Sequence, residues 1–306
     1  MDFKEARDKA IRAAKGKITE SYENEEHILI QTINAFGETT KSYNLACERL
    51  SEWYGIYFPE IKTASYKELA DLAIVMCVPG DPSHESISAV VSDPGRAELI
   101  HGKATSTIGR KITEDERGAV FAFATMVKSM DKTLEEMDTY IKSAATRIMP
   151  NVTYLTDDKI ASELLSKAGS LKRLSLMPAS TVQLLGAEKA LFKHIKFGSR
   201  PPKYGILFKL PEVTNAPKDK KGRIARVFAT KICIALKADF FSKRFIAEKL
   251  KADLNVALAR IDATESKPKP QQPQQFRRER FGAPGRNRNS FRPGNARRRS
   301  FRKPPN

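Results

Sequence analysis

Two stretches of this chain repeat apolar residues in alternating steps of four and three, and this pattern restricts the fold more than any other feature. Leu29, Ile33, Phe36, Thr40, Tyr43, Cys47, Leu50 and Tyr54 keep the period in the first. Val120, Phe123, Val127, Met130, Leu134, Met137, Ile141, Ala144 and Ile148 keep it in the second. Such spacing puts one narrow stripe on a helix, which a second striped helix can cover. Thr113-Glu-Asp-Glu116 fits a capping box at the start of the second helix, and Pro150 stops it. Pro59 ends the first. Between them, a short apolar helix near 66–78 and the turn-rich pieces Pro79-Gly-Asp-Pro82 and Asp93-Pro-Gly95 predict a cap at one end of an antiparallel pair. The pattern leaves open whether the stripes meet within one chain, between two, or both.

Beyond Pro150 the periodicity changes. A helix is predicted from Asp157 to Lys167 with Gly169 as its stop, then a short helix from Ser170 and a loop through Pro178. Leu185 to Lys196 reads as helical and Ser199-Arg-Pro-Pro-Lys-Tyr-Gly205 as a rigid basic turn. Ile206-Leu-Phe208 is the best strand signal. Asn215 to Gly222 reads as a polar loop, and a long helical pattern from Arg223 to about Ile261 is broken near Asp239–Ser242. The chain then turns low-complexity, with Phe281, Phe291 and Phe301 recurring among arginines, and cannot bury enough apolar surface to fold alone. The expected architecture is all-α. A long antiparallel coiled coil with a helical cap occupies residues 1–149, a compact helical domain 150–262, and a disordered Arg-rich tail 263–306.

Charge points to the partner. Lys+Arg number 54 against 36 Asp+Glu, a net of +18. The segment from Asp262 on carries 13 of those cations and 3 acids, so the body is basic as well. Cations in both parts favour a polyanion, most simply nucleic acid. In the tail, arginines meet phosphates and sparse aromatics stack on bases. Cys47, Cys77 and Cys233 are too scattered for a disulfide framework or a zinc site. No apolar run spans a bilayer and no signal peptide opens the chain, so a cytoplasmic protein is expected. Enzyme signatures are missing: there is no GxGxxG after a strand, no GxxxxGK[ST] and no HExxH. Glu114, Asp115 and Glu116 suit a helix start better than acid–base chemistry. The reading is therefore a non-enzyme with no catalytic residues, cofactor or metal.

The densest cationic constellation spans twenty residues. With a helix starting near Ala187, Lys189, Lys193 and Lys196 fall on one face, with His194 beside it. Leu191 and Ile195 are expected to anchor the opposite side. Gly186, Ala187 and Glu188 form a helix start whose backbone N–H groups and dipole suit a phosphate. Arg200 and Lys203 sit on a loop stiffened by two prolines, and His194 is placed to stack on an unpaired base.

The same stretch carries a family resemblance. Leu185-Gly-Ala-Glu-Lys-Ala-Leu-Phe-Lys-His194, Gly198-Ser-Arg-Pro-Pro-Lys-Tyr-Gly205, Ala168-Gly-Ser-Leu-Lys-Arg-Leu174 and Met177-Pro-Ala-Ser-Thr181 resemble the Nop domain signature. Leu50-Ser-Glu-Trp-Tyr-Gly-Ile-Tyr-Phe-Pro-Glu60 is similar to the family's coiled-coil motif; Gly222-Arg-Ile-Ala-Arg226 and Ala238-Asp-Phe-Phe-Ser242 are similar to its C-terminal helices. The resemblance implies an archaeal scaffold of box C/D guide-RNA particles, which direct 2′-O-methylation of ribosomal and transfer RNA. It implies a Nop domain that recognises kink-turn RNA together with a ribosomal-protein-like kink-turn binder. It also implies a homodimer through the coiled coil and a contact with the methyltransferase fibrillarin. By the same resemblance Gly186, Ala187, Glu188, Lys189, Lys193, His194, Lys196, Arg200 and Lys203 face the RNA or the RNA–protein surface, while Trp53 and Tyr54 support the coiled-coil core. The likeness begins near residue 3, past the separate N-terminal domain on which the family docks fibrillarin. Two alternatives stay open: a coiled-coil structural adaptor, and a splicing-type Nop-domain protein.

Overall fold

The computed structural model describes residues 3–22, 25–77 and 83–264. The turn expected at Pro79–Pro82 and the tail from residue 265 lie outside them. The N-terminal half comprises α1 (Phe3–Tyr22), α2 (Glu25–Tyr57), α3 (Tyr66–Met76), α4 (His84–Ser88), α5 (Pro94–Thr105) and α6 (Glu114–Ile148). The C-terminal half comprises α7 (Pro150–Leu155), α8 (Asp158–Ala168), α9 (Leu171–Leu176), α10 (Ala179–Leu184), α11 (Glu188–Phe197), α12 (Pro211–Thr214), α13 (Lys221–Lys237) and α14 (Ala247–Asp262). The described residues contain no strand, and the fold is all-α.

The two striped segments are α2 and α6, and they cover each other within one chain. Leu29 and Ile33 share a core with Ile141, Ala144 and Ala145 at one end. Leu50 and Tyr54 share another with Val120, Ala124 and Val127 at the other, so the pair is antiparallel. Between these cores Thr40, Met130, Leu134 and Met137 are only half-buried, because two helices leave the flanks of each stripe open. The capping box forms: Thr113 Oγ1 accepts from Glu116 N at 3.4 Å, and Thr113 N donates to Glu116 Oε2 at 3.1 Å.

The cap over the far end is built by α3, α4 and α5. Leu69, Leu72 and Ala73 join Ile87, Ala97 and Ile100 in the core with Leu50 and Tyr54. Asp93-Pro-Gly95, expected as a turn, instead starts α5. Asp93 is its N-cap, accepting from Gly95 N at 3.1 Å, and Pro94 sits where a missing N–H costs nothing. The 50–60 motif has a structural role here. Trp53 meets the Phe123 ring at 6.0 Å and Tyr54 is buried. The Glu60 carboxylate accepts from Ile108 N at 2.6 Å and Thr107 Oγ1 at 2.8 Å, fastening the α5–α6 loop to the end of α2. The Ile108 N–H, more than any other neighbour, holds the Glu60 carboxyl below its ordinary range.

The second core gathers Leu164 and Leu165 of α8, Phe228 and Ile232 of α13, and Leu250 and Leu254 of α14 around the near ends of α2 and α6. Hydrophobic packing therefore runs across residues 149–150. Pro150 stops α6 but also opens α7 at its first position. Gly169, at φ 86°, ends α8 where the sequence places the stop. The strand expected at Ile206–Phe208 is a 3₁₀ turn, Ile206–Lys209. Only Gly205 N and Ile206 N reach opposing carbonyls, those of Gln183 and Leu185, before Pro211 begins α12. The polar loop ends at Lys220, and Lys221 and Gly222 are already helical. The expected break after α13 is a π-helical turn, Ala238–Ser242. No helix among the described residues is long and apolar enough to cross a membrane.

Candidate nucleic-acid interface

The cationic segment is an excursion from the helical body, closed at its base by backbone. Gly205 N donates to Gln183 O at 2.9 Å and Ile206 N to Leu185 O at 2.8 Å. The Gln183 side chain adds a bond from Nε2 to Lys203 O at 2.6 Å. Two glycines make this closure possible. A β-carbon on Gly205 would stand 2.0 Å from Leu185 O, and one on Gly186 would stand 2.7 Å from Ile206 Cγ1. Gly186 also has φ +88°, which side-chain-bearing residues adopt at a cost. Between these points the chain makes α11, turns at Gly198 (φ 63°) and returns along Arg200-Pro-Pro-Lys203.

No residue of α11 is buried. Lys189, Lys193 and Lys196 are exposed along one stripe, as their spacing requires. Leu191 is half-buried and faces the body. Ile195, expected beside it as an anchor, is 71% exposed, and Phe192 is 69% exposed. At about 100° per residue these two lie roughly 60 to 120° to one side of the lysine stripe. Six residues, 198–203, lie between the end of α11 and Tyr204, and among the described residues no element buries Phe192 or Ile195, so the sequence's apolar side is not a core side. The helix thus presents a cationic strip and an apolar strip next to each other.

The start of α11 differs from expectation in one respect. Gly186 N donates to Glu188 Oε1 at 2.6 Å and Ala187 N donates to Leu184 O at 2.9 Å. Those two N–H groups are engaged, and the Glu188 carboxylate occupies the favourable anionic place at the helix start. The cations for phosphate are the side chains further along. His194 is half-buried, and its Nδ1–H donates to the Ser199 carbonyl, bracing the basic turn against α11.

Arg200 and Lys203 are exposed on the returning loop. The Lys203 stem passes 3.5 Å from where a Gly222 β-carbon would sit, which brings the loop onto the first turn of α13. There Arg223 and Arg226 line a cleft of about 450 Å³ with Lys203, Pro201, Pro202 and Asp219. Sequence reasoning did not place these two arginines in the site. Their three-residue spacing was a signal, but only the tertiary contact shows which face they share. Several cations elsewhere are matched: Lys209 pairs with Glu163, Lys231 with Asp253 and Arg147 with Glu25. Among the described residues, Lys189, Lys193, Lys196, Arg200, Lys203, Arg223 and Arg226 form no ion pair. Nor does any group of three or more His, Cys, Asp or Glu side chains among the described residues make a metal site.

A family model described as "Nop: snoRNA binding domain, fibrillarin" matches residues 36–262. An uncharacterized NOP5 family protein of Methanocaldococcus jannaschii is 31% identical over 255 residues, covering 82% of this chain and 61% of that protein. Nucleolar protein 56 of Mus musculus is 30% identical over 260 residues, covering 82% and 45%. Nucleolar protein 58 of Candida albicans is 33% identical over 232 residues, covering 74% and 44%. The chain thus spans between about two fifths and three fifths of the length of these relatives. A chain in a crystal structure of a fibrillarin/Nop5p complex aligns with a TM-score of 0.49 at 22% identity, covering 85% of this chain and 78% of that one.

Proposed function

We propose, from the premise that this chain belongs to the Nop family, that it is a non-catalytic scaffold binding structured RNA in a box C/D ribonucleoprotein that directs 2′-O-methylation. One observation carries the reading: α11 buries none of its residues and sets a lysine strip beside an exposed apolar strip. A helix that is merely solvated has no use for Phe192 and Ile195 in water, and a core helix has no use for three aligned lysines. An RNA–protein composite suits both. Phosphates of a kink-turn meet Lys189, Lys193, Lys196, Arg200 and Lys203, with Arg223 and Arg226 extending the strip. The kink-turn-binding protein covers Phe192 and Ile195. His194, tied to Ser199, positions the turn and presents its ring edge toward an unpaired base. Gly186, Ala187 and Glu188 shape the helix start.

The description of the matched family, whose model covers residues 36–262 and so the Leu50–Glu60 motif and most of the coiled coil, includes fibrillarin. We therefore include a fibrillarin contact and homodimerisation through the coiled coil in the proposal. The placement is the cytoplasm of an archaeal cell, supported by the identity with the Methanocaldococcus protein. The domain limits that fit this division of labour are 1–149 for the coiled coil, 150–262 for the Nop domain and 263–306 for the basic tail.

The test is a binding comparison. The chain is titrated against a bare duplex, a bare kink-turn RNA and the same kink-turn already bound by its partner protein. Much tighter binding to the two-component complex is expected. Equal affinity for the bare duplex and the complex would overturn the reading.

A further inference from the structure

A second cationic surface lies at the other end of α13. The end of the π-helical turn and the loop after it, Phe241-Ser-Lys-Arg-Phe245, leave Phe241 63% and Phe245 54% exposed. The Phe245 ring meets the exposed Tyr154 edge-on at 5.6 Å, and Phe241 meets the half-buried Phe240 at 4.8 Å. Lys237, Lys243 and Arg244 lie on the same stretch of chain as Phe241 and Phe245, are exposed, and form no ion pair among the described residues. The acids nearby are occupied: Glu25 pairs with Arg147, and Glu26 accepts from Leu171 N at 2.9 Å. Glu248 is the exposed acid in the first turn of the following helix.

The loop is rigidly held. Lys243 sits at φ 51°, and its N–H closes the π turn on Ala238 O at 2.7 Å. Asn151, fully buried, donates from Nδ2 to Arg244 O at 2.9 Å and accepts from Ile246 N at 2.6 Å. A left-handed lysine and a π turn are costly local conformations, held here by a buried clasp. The backbone that carries these exposed phenyl rings is thus fixed in place, with three cations on the same stretch of chain.

We infer that this loop is a stacking platform for single-stranded RNA, separate from the kink-turn surface. Unpaired bases lie on Phe241, Phe245 and Tyr154 while Lys237, Lys243 and Arg244 meet the phosphates, the combination single strands require. Charge selects this occupant. A second copy of the chain carries +18, and its Arg-rich C-terminal segment is also strongly basic, so both are repelled from three unpaired cations. From Arg223 the helix α13 runs on to Lys237, roughly 21 Å along its axis, so one RNA can meet both surfaces at different places. The inference rests on the reading that the chain binds RNA and does not require a kink-turn.

The experiment uses the full chain and a short fluorescent oligouridylate carrying 4-thiouridine. Crosslinked peptides containing residues 241–245 or Tyr154 are expected. Phe241→Ala with Phe245→Ala should cut that crosslinking about tenfold, because each lost stack is large on the scale of single-strand affinity. Phe245→Leu should lose it too, whereas a ring that serves only as apolar cover is replaced by leucine. Lys243→Gly keeps the left-handed backbone and removes the charge, and should lower the salt dependence without unfolding the loop. The Lys189→Glu, Lys193→Glu variant should lose partner-bound kink-turn binding and keep the 241–245 crosslink, so the two surfaces fail separately. Crosslinks confined to α11 and the tail, rescue by Phe245→Leu, or binding to phosphatidylserine vesicles in place of oligouridylate would overturn the inference.

Discussion

Gly205 and Leu185 approach so closely that a β-carbon on the glycine would lie 2.0 Å from the leucine carbonyl oxygen. That contact closes the base of the α11 excursion, together with the Ile206 N to Leu185 O bond of 2.8 Å. Gly205→Ala must push two backbone segments apart, and overpacking of this kind costs about 1–3 kcal/mol. The expected result is a lowered Tm and a mobile α11. Amide hydrogen exchange checks it: protection should fall across 186–205 while α13 keeps its own.

Charge reversal tests the cationic strip directly. Lys189→Glu, Lys193→Glu and Arg200→Glu change exposed side chains that form no ion pair, so stability should change by less than about 0.5 kcal/mol. Binding to the RNA–protein complex should fall by orders of magnitude. The slope of log affinity against log salt should drop by about one for each phosphate contact removed. Titrations of single and triple variants at several salt concentrations measure both effects. An unchanged slope would mean that these residues do not meet phosphate.

The helical stripes were legible because their information is local. Leu29 to Tyr54 and Val120 to Ile148 state their own period, and Thr113 with Glu116 states where the helix begins. Gly169 is readable for the same reason, since a left-handed stop needs only one residue. The Lys189, Lys193 and Lys196 stripe likewise follows from helix geometry alone. What escaped depends on contacts between distant segments. Nothing local tells Ile195 that no neighbour will cover it, or tells Arg223 and Arg226 that Lys203 lies across the cleft. The strand reading of Ile206–Phe208 failed because a strand is defined by its partner, and only two N–H groups find one. Asp93-Pro-Gly95 was ambiguous in itself, since Asp before Pro opens helices as well as turns.

Tyr54 carries a buried flaw. Its ring is packed between α2, α3 and α6, and its hydroxyl finds no hydrogen-bond partner among the described residues. Burial therefore pushes the phenol above its ordinary range. Removing a lone buried hydroxyl while keeping the ring relieves a desolvation cost of about 1 kcal/mol. Tyr54→Phe should raise Tm by about 2–4 °C, read by calorimetry, with RNA binding unchanged. A destabilised variant would show that the hydroxyl has a partner in solution.

Asp239 and Asn151 join the α6–α7 junction to the α13–α14 junction. One Asp239 oxygen accepts from Asn151 N at 3.1 Å and Asn151 Nδ2 at 2.6 Å, and the other accepts from Val152 N at 3.2 Å. Burial pushes the Asp239 carboxyl above its ordinary range, and the donors from Asn151 and Val152 only partly oppose that. The folded state then holds this proton more tightly than the unfolded chain does. Stability from this group is therefore full below the unfolded value near 4 and declines as pH rises through the raised folded value. Glu60 and Asp253 act in the opposite sense, because their folded carboxyls are held below the ordinary range. The difference between wild type and Asp239→Asn isolates the one group. The variant should be less stable throughout, because its amide N–H₂ faces the Val152 N–H, and its deficit should be largest in acid and shrink as pH rises above about 4. Asn151→Ala keeps its backbone N–H but takes the Nδ2 donor from the carboxylate and strands Arg244 O and Ile246 N, and should cost about 3 kcal/mol at neutral pH. Urea melts from acidic to neutral pH measure all three chains, and a deficit that grows with pH would reverse the assigned sign.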